Sequence, residues 1–398
     1  MNLVQKKKTK SKFELFRKCN ICRKQNLKSP ITLGKHTPAD TFITKKKINS
    51  EIIEIDLDCL FCLSCSNLQL KKSINQHYKY NNTEYSYTSS NSKKSQKYLD
   101  LYYSYILRSS NFKNGNILEI GANDGYLIRK FPRKNFTLYS CEASKYWSDF
   151  LKKYKIKSIN NIFENLPVEK FKNSFDLIIA NNVVNHSHKI KKFFKNISKV
   201  MSKNGYFYME VPYMPWMIEK GKFELIYLEH INYFSLNSLK KLCDKFSLKI
   251  HDVSFPNYHG KMLRLKISKK TGNLNILKIL KYEKFFFKGL NRLNSFQSKI
   301  EKRKNLFLKK ILKIKKNKKN KIVAIGASAK TSSLLNFFSL GNNEISFITD
   351  NSKEKIGKYI PNKKIEIKND RALKNLNNVY IFFSTWNISD FVKRKLKQ

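Results

Sequence analysis

A chain of 398 residues with 41% hydrophobic residues is long enough for two or three domains with cores of their own. It contains no run of about 18 uncharged apolar residues, so no membrane span is expected, and its lysine-rich start lacks the apolar stretch of a secretory signal, which leaves a cytoplasmic protein as the expectation. The net charge of +51 points toward nucleic acid, but it comes from 70 Lys and only 10 Arg spread along the whole chain. Diffuse ammonium charge acts on solubility and nonspecific association, whereas phosphate recognition favours clustered guanidinium groups, so no specific nucleic-acid partner is expected.

Residues 1–80 hold five of the seven cysteines. Cys19-Asn-Ile-Cys22 and Cys62-Leu-Ser-Cys65 are two CxxC pairs, each able to clamp one side of a tetrahedral ion. Four thiolates close such an ion off from water, so the expected site is structural zinc bound by Cys19, Cys22, Cys62 and Cys65. Cys59 leaves an alternative open, because Cys59 and Cys62 form a competing pair. Residues 51–57 alternate like a strand. Residues 81–98 read as a polar loop, and 96–108 as a helix.

From there strands and helices alternate. Strands are expected at 116–120, 137–141, 175–180 and 205–211, with a helix starting near Tyr126. This is the pattern of βαβ units in a parallel sheet, hence an α/β, Rossmann-like core. Residues 268–320 read as largely helical and end in a lysine-rich hinge. A second strand–turn–helix begins at 321–326. The expected organisation is a zinc module (1–80), an α/β domain (81–267), a helical linker (268–320) and a C-terminal Rossmann-like α/β domain (321–398).

In Ile117-Leu-Glu119-Ile-Gly121-Ala-Asn123-Asp124-Gly125, a buried strand runs into a turn whose glycines allow unusual backbone angles and close approach of a ligand. Glu119 and Asp124 make the turn acidic. That suits the ammonium and sulfonium of S-adenosylmethionine (SAM) and would repel a pyrophosphate. The G-x-G-x-x-G spacing of a dinucleotide site is absent. Glu142 ends the second strand about 20 residues on, where an acid accepts both hydroxyls of a ribose. Two polar clusters follow. Asn181-Asn182-Val-Val-Asn-His186 lies at the carboxyl end of a strand. Tyr227-Leu-Glu229-His230-Ile-Asn-Tyr-Phe places a carboxylate beside a histidine that titrates near neutrality and can serve as a base.

In this order the motifs resemble those of the C-methyltransferases that act on nucleotide-linked 4-keto-hexoses. The resemblance covers nearly the whole chain. It includes the double CxxC module, the loop Tyr85-Ser-Tyr87-Thr-Ser, the glycine loop, Glu210-Val-Pro-Tyr213 and His259-Gly260 with Leu263-Arg264. Gly326-Ala-Ser-Ala-Lys330, Ile348-Thr-Asp350 and Ser384-Thr-Trp386-Asn387 continue it. It departs from the family at Leu228, where a histidine is usual, at Lys261 and Met262, and at Ala143, where a proline is usual.

The resemblance implies methylation at C3 of a nucleotide-linked sugar, in deoxysugar biosynthesis, with SAM as donor and zinc as a structural ion. His230 is then the base, oriented by Glu229. Tyr227, His186 and Asn182 stand near the sugar and the developing enolate oxygen, and Tyr87 comes from the loop. Glu119, Gly121, Asn123, Asp124, Gly125, Glu142 and Asn181 are the cofactor residues. An RNA methyltransferase, a sugar O- or N-methyltransferase and a noncatalytic protein of SAM-binding fold are the alternatives.

Overall fold

The structure is a computed structural model that describes residues 12–39, 41–50, 52–75, 88–258, 260–272, 274–374 and 376–384. The N-terminal module begins with strands β1 (Phe13–Leu15), β2 (Leu27–His36), β3 (Ile55–Cys62), β4 (Leu68–Leu70) and β5 (Lys72–Ile74). In β3 the sequence Ile-Asp-Leu-Asp-Cys alternates, which sends Ile55, Leu57 and Cys59 inward and the aspartates outward. The strand expected at 51–57 therefore starts and ends later in the chain.

The central domain opens with helix α1 (Lys93–Ser110), started by a capping box at Ser92 and Ser95 and ended by Asn111 in the left-handed region. Strands β6 (Gly115–Ile120), β7 (Phe136–Glu142), β8 (Lys157–Asn160), β9 (Phe175–Asn181) and β10 (Met201–Pro212) follow, with helices α2 (Lys145–Lys153) and α3 (Ile190–Val200) between them. After β10 come α4 (Met214–Glu219), the two-residue β11 (Asn232–Tyr233), α5 (Leu236–Lys245), β12 (Lys249–Ser254) and β13 (Met262–Ser268). The order across the sheet is β12-β13-β10-β9-β6-β7-β8. From β8 to β10 every pairing is parallel, and β13 runs antiparallel to both neighbours. The order reverses between β6 and β9, which opens a crevice at the carboxyl ends of those strands.

The helix expected near Tyr126 is a correction: only a single 3-10 turn, Ile128–Lys130, forms there. Pro132 disfavours helical backbone at the preceding residue, and Phe131 is extended at ψ 126°.

The linker forms α6 (Leu277–Phe286) and α7 (Asn291–Lys315), joined by a turn with Gly289 at φ +66°. The C-terminal unit is β14 (Lys321–Ile325), α8 (Ala329–Phe337), β15 (Phe347–Thr349), β16 (Ile367–Lys368) and β17 (Val379–Phe382) in a parallel sheet of order β16-β15-β14-β17.

One apolar core joins the N-terminal module, α7 and the C-terminal sheet, while two others fill the faces of the central sheet. The modules also interlock through hydrogen bonds. The short β11 pairs with β4 and so completes the N-terminal sheet from within the central domain. Ser332 on α8 donates to the Ala39 carbonyl, and Asn336 donates to Thr37. Among the described residues no helix is long and apolar enough to cross a membrane.

Candidate active site and zinc centre

The glycine loop sits at the end of β6, where the sequence placed it. Gly121 has φ +65°, and a Cβ there would come within 2.6 Å of Val183 Cγ2. Gly125 has φ +70° and is closed in by Leu151. Both positions need glycine for conformation and for space. Glu142 ends the neighbouring β7 and is almost fully buried. Its carboxylate accepts from the backbone N–H of Asn123 at 3.0 Å and of Ser144 at 2.8 Å. Burial holds its pKa above the ordinary carboxylate range, and those N–H groups pull it back down. Each carboxylate oxygen keeps a further lone pair for a hydroxyl.

A solvent-open cleft runs past these groups. Gly121, Asn123 and Glu142 line one part, and Asn182 and His186 another. A third part of the wall comes from residues that sequence reasoning missed: Asn161, Ile162, Phe163 and Glu164 in the segment after β8. Their signal was position alone, the carboxyl end of the third parallel strand. Glu164 is buried and accepts from Ser187 Oγ at 2.5 Å.

Four expected cofactor residues lie outside that lining. Glu119 is buried and accepts from the Ile128 N–H at 3.0 Å, which closes the 3-10 turn. Burial, with Asp124 close by, raises its pKa well above the ordinary range. Asp124 accepts from the Ser90 N–H and hydroxyl and from the Tyr126 N–H. Asn123, at φ +51°, accepts from the Ser89 N–H. The acidic loop therefore straps residues 89–90 onto the cofactor turn. Gly125 supports the turn from behind, and the Asn181 side chain accepts from Asn182 Nδ2 at 3.2 Å.

The histidine clusters converge. The His186 and His230 rings stand perpendicular with centroids 4.9 Å apart. The Tyr227 hydroxyl lies 2.5 Å from His230 Nε2, and His230 Nδ1 lies 3.1 Å from the Leu225 carbonyl. A carbonyl only accepts, so Nδ1 carries the proton and Nε2 holds the lone pair. The Leu225 carbonyl thus helps to orient the ring. Glu229 accepts from the Ala39 N–H at 3.0 Å, which ties the loop carrying His230 to the N-terminal module. The position of Leu228, where the family's histidine is absent, is buried among apolar side chains, and its carbonyl accepts from Ser73 Oγ at 2.6 Å. Tyr87 and His259 lie outside the described residues. Tyr85, Trp386 and Asn387 do too.

Beside this centre Arg264 on β13 donates to Glu210 on β10 at 2.7 Å, and both are buried. Tyr98 bonds to both and stacks on Tyr258 at 3.9 Å. The Glu210 carbonyl also accepts from the Asn182 N–H at 2.8 Å, so this pair braces the Asn182 loop.

In the N-terminal module, the sulfurs of Cys19, Cys22, Cys62 and Cys65 lie within 4.8 Å of one another. The Cys19–Cys65 and Cys22–Cys62 separations are each 3.5 Å. Zinc–sulfur bonds of about 2.3 Å in a tetrahedron require sulfurs about 3.8 Å apart, so the four fit zinc. Cys59 does not compete. It is buried in the apolar core, where burial pushes its thiol pKa up.

The chain matches three domain families in sequence: a zinc binding domain over residues 19–80, a methyltransferase domain over 93–253 and the C-methyltransferase C-terminal domain over 257–398. The chain belongs to the C-methyltransferase family. SAM is its cofactor, and its four-cysteine knuckle lies in the zinc binding domain with its sulfurs close enough to hold the ion. The chain is similar to the C-methyltransferase NovU of Streptomyces niveus, with 24% identity over 218 residues. That match spans 53% of this chain and 51% of the relative, about half of each. Among solved structures, the chain is similar to the PH0226 protein from Pyrococcus horikoshii OT3, with 14% identity, a TM-score of 0.41, and 50% of this chain and 100% of that one covered. It is also similar to magnesium protoporphyrin IX methyltransferase from Synechocystis PCC 6803 with bound SAH, with 10% identity, a TM-score of 0.37, and 44% and 83% covered.

Proposed function

We propose that this C-methyltransferase methylates C3 of a nucleotide-linked 4-keto-hexose, a step of deoxysugar biosynthesis in the cytoplasm. The observation that carries the proposal is the His230 dyad. Its Nε2 lone pair faces the Tyr227 hydroxyl, and its ring meets His186 on the wall of the cofactor cleft. When bound, SAM supplies an electrophilic methyl group on sulfonium.

In this reading the sugar displaces the Tyr227 hydroxyl from Nε2, and His230 takes the C3 proton, acidified by the adjacent ketone. The Leu225 carbonyl, bonded to Nδ1–H, stabilises the imidazolium. The freed Tyr227 hydroxyl, with His186 and Asn182, donates to the enolate oxygen. The electron pair left on C3 would be the nucleophile for the methyl group that SAM would supply from the turn at Gly121, Asn123 and Glu142. A positioned base contributes roughly 10² to 10⁴ in rate, and donors to the oxyanion a comparable factor.

Glu142 is assigned the ribose hydroxyls, and Gly121 and Asn123 the close backbone approach. Glu119, Asp124, Gly125 and Asn181 act by shaping that turn, and Glu229 by anchoring the catalytic loop. Tyr87 is kept as a substrate residue on the family resemblance. The four segments 1–80, 81–267, 268–320 and 321–398 are proposed as the working domain boundaries.

The test is incubation with methyl-labelled SAM and a panel of 4-keto nucleotide sugars. The expected product carries the label on C3. Label found only on oxygen, nitrogen or RNA would refute the assignment.

A further inference from the structure

Between the zinc knuckle and the two histidine loops lies a cluster of buried amide side chains that the reaction does not use. Asn20 sits inside the first CxxC pair, Asn67 just past the second, Gln69 on β4 and Asn232 on β11, two residues after His230. Asn67, Gln69 and Asn232 have no exposed surface, and Asn20 is 5% exposed. Buried amides are costly unless bonded, so their contacts define a specific arrangement.

The Asn20 N–H donates to Gln69 Oε1 at 2.7 Å, and Asn20 Nδ2 donates to Asn232 Oδ1 at 3.2 Å. Asn67 Nδ2 lies 3.4 Å from both acceptors. Gln69 Nε2 donates to the Lys18 carbonyl at 3.1 Å, next to Cys19. Asn232 Nδ2 donates to the Ser187 carbonyl at 3.0 Å, and the Ile231 N–H to the Asn185 carbonyl at 2.8 Å. Both CxxC turns thus reach one amide, and that amide grips the residue after His186 while standing two residues after His230 in the chain.

We propose that Asn232, held by Asn20, Asn67 and Gln69, is a positioning residue that sets His186 and His230 at their working separation, with the zinc knuckle as its anchor. The cysteine site then acts on catalysis without touching substrate. Zinc fixes the two turns, the turns fix Asn232, and Asn232 sets the spacing of the two rings. The amide polarity specifies this arrangement, because an apolar side chain at 232 would take from Asn20 Nδ2 and the Ser187 carbonyl the partner that Asn232 provides, and would leave Asn67 Nδ2 only Gln69. The consequence for rate rests on the proposed function, since a displacement of about 1 Å at a reacting group can cost roughly 10²-fold.

The test uses the full zinc-loaded chain with nitrogen-labelled histidine, comparing wild type, Asn232→Ala and Asn20→Ala. Histidine titrations are followed by NMR, SAM affinity by calorimetry, zinc content by metal analysis and kcat with the keto-sugar substrate. In Asn232→Ala the titration midpoints of His186 and His230 are expected to move together, while His36 and His251 stay as in wild type. SAM affinity should stay within about threefold and kcat should fall roughly 10²-fold. Asn20→Ala removes only the side-chain link from the knuckle, so it should move the same two histidines in the same direction by less. It also serves as the probe if Asn232→Ala does not fold. Wild-type titration of both histidines in the folded variants overturns the proposal, whatever the rate. Because the titrations need no substrate, failure of the sugar assignment would appear separately, as absence of turnover in wild type.

Discussion

Replacing Gly121 by alanine tests whether the cofactor turn is as tight as the structure places it. Two costs add there. A non-glycine residue at φ +65° is in the left-handed region, which costs about 1–2 kcal/mol. The new Cβ also arrives 2.6 Å from Val183 Cγ2, so Val183 must move by about 1 Å, an overpacking cost of roughly 1–3 kcal/mol. Gly34 provides a control, because it has φ +78° and no atom lies within 4 Å of the place a Cβ would take. Gly34→Ala should lose only the conformational part. In urea unfolding at pH 7, Gly121→Ala is therefore expected to be about 1–3 kcal/mol less stable than Gly34→Ala. Val183 stands on the wall of the cleft, so SAM affinity should also fall in Gly121→Ala and remain unchanged in Gly34→Ala. Equal stability losses together with unchanged SAM binding in both would refute the close approach and the placement of the cofactor on this turn.

Three further outcomes follow from the same geometry. Glu142→Ala should weaken SAM binding by about tenfold or more, since a hydrogen bond to a charged group is worth about 1.5–3 kcal/mol; calorimetry showing wild-type affinity would move the ribose elsewhere. Cys62→Ser should lose its zinc, while Cys59→Ala should keep one zinc per chain, and metal analysis giving the reverse would reassign the ligand set. His36 is buried, and burial lowers its pKa from 6.5 to about 4. Its folded form binds fewer protons than the unfolded chain between those values, so its contribution is present at pH 7 and is lost as the pH falls from about 6.5 toward 4. Wild type should lose about 2 kcal/mol relative to His36→Gln between pH 7 and pH 5, and a stability difference flat with pH would exclude this.

The parts of the molecule legible in the sequence are those where one residue type answers one physical demand. Gly121 and Gly125 mark backbone that no other residue adopts freely, and the paired cysteines mark a tetrahedral ion. Glu142 was found by strand period and distance, because the carboxyl end of β7 must face the crevice. The helix missing after Gly125 was also written in the chain, as Phe131-Pro132, but the βαβ rhythm outweighed it. What stayed hidden depends on contacts between distant segments. Nothing local in Glu229 says that it bonds to Ala39, or in Asp124 that Ser90 covers it. The pairing of Asn232 with a zinc module more than 160 residues earlier is set by the two-residue strand β11, which is too short to leave a period. Asn161 and Glu164 reached the cleft through the sheet order, which no local pattern reveals.

The central claim is that His230 removes a proton from carbon beside a ketone. Solvent deuterium exchange at C3 of a 4-keto nucleotide sugar, followed by NMR without SAM, measures that step alone. Wild type should exchange C3 and no other sugar position, whereas His230→Ala should bind SAM normally and exchange nothing. Exchange at the wild-type rate in His230→Ala would contradict the account.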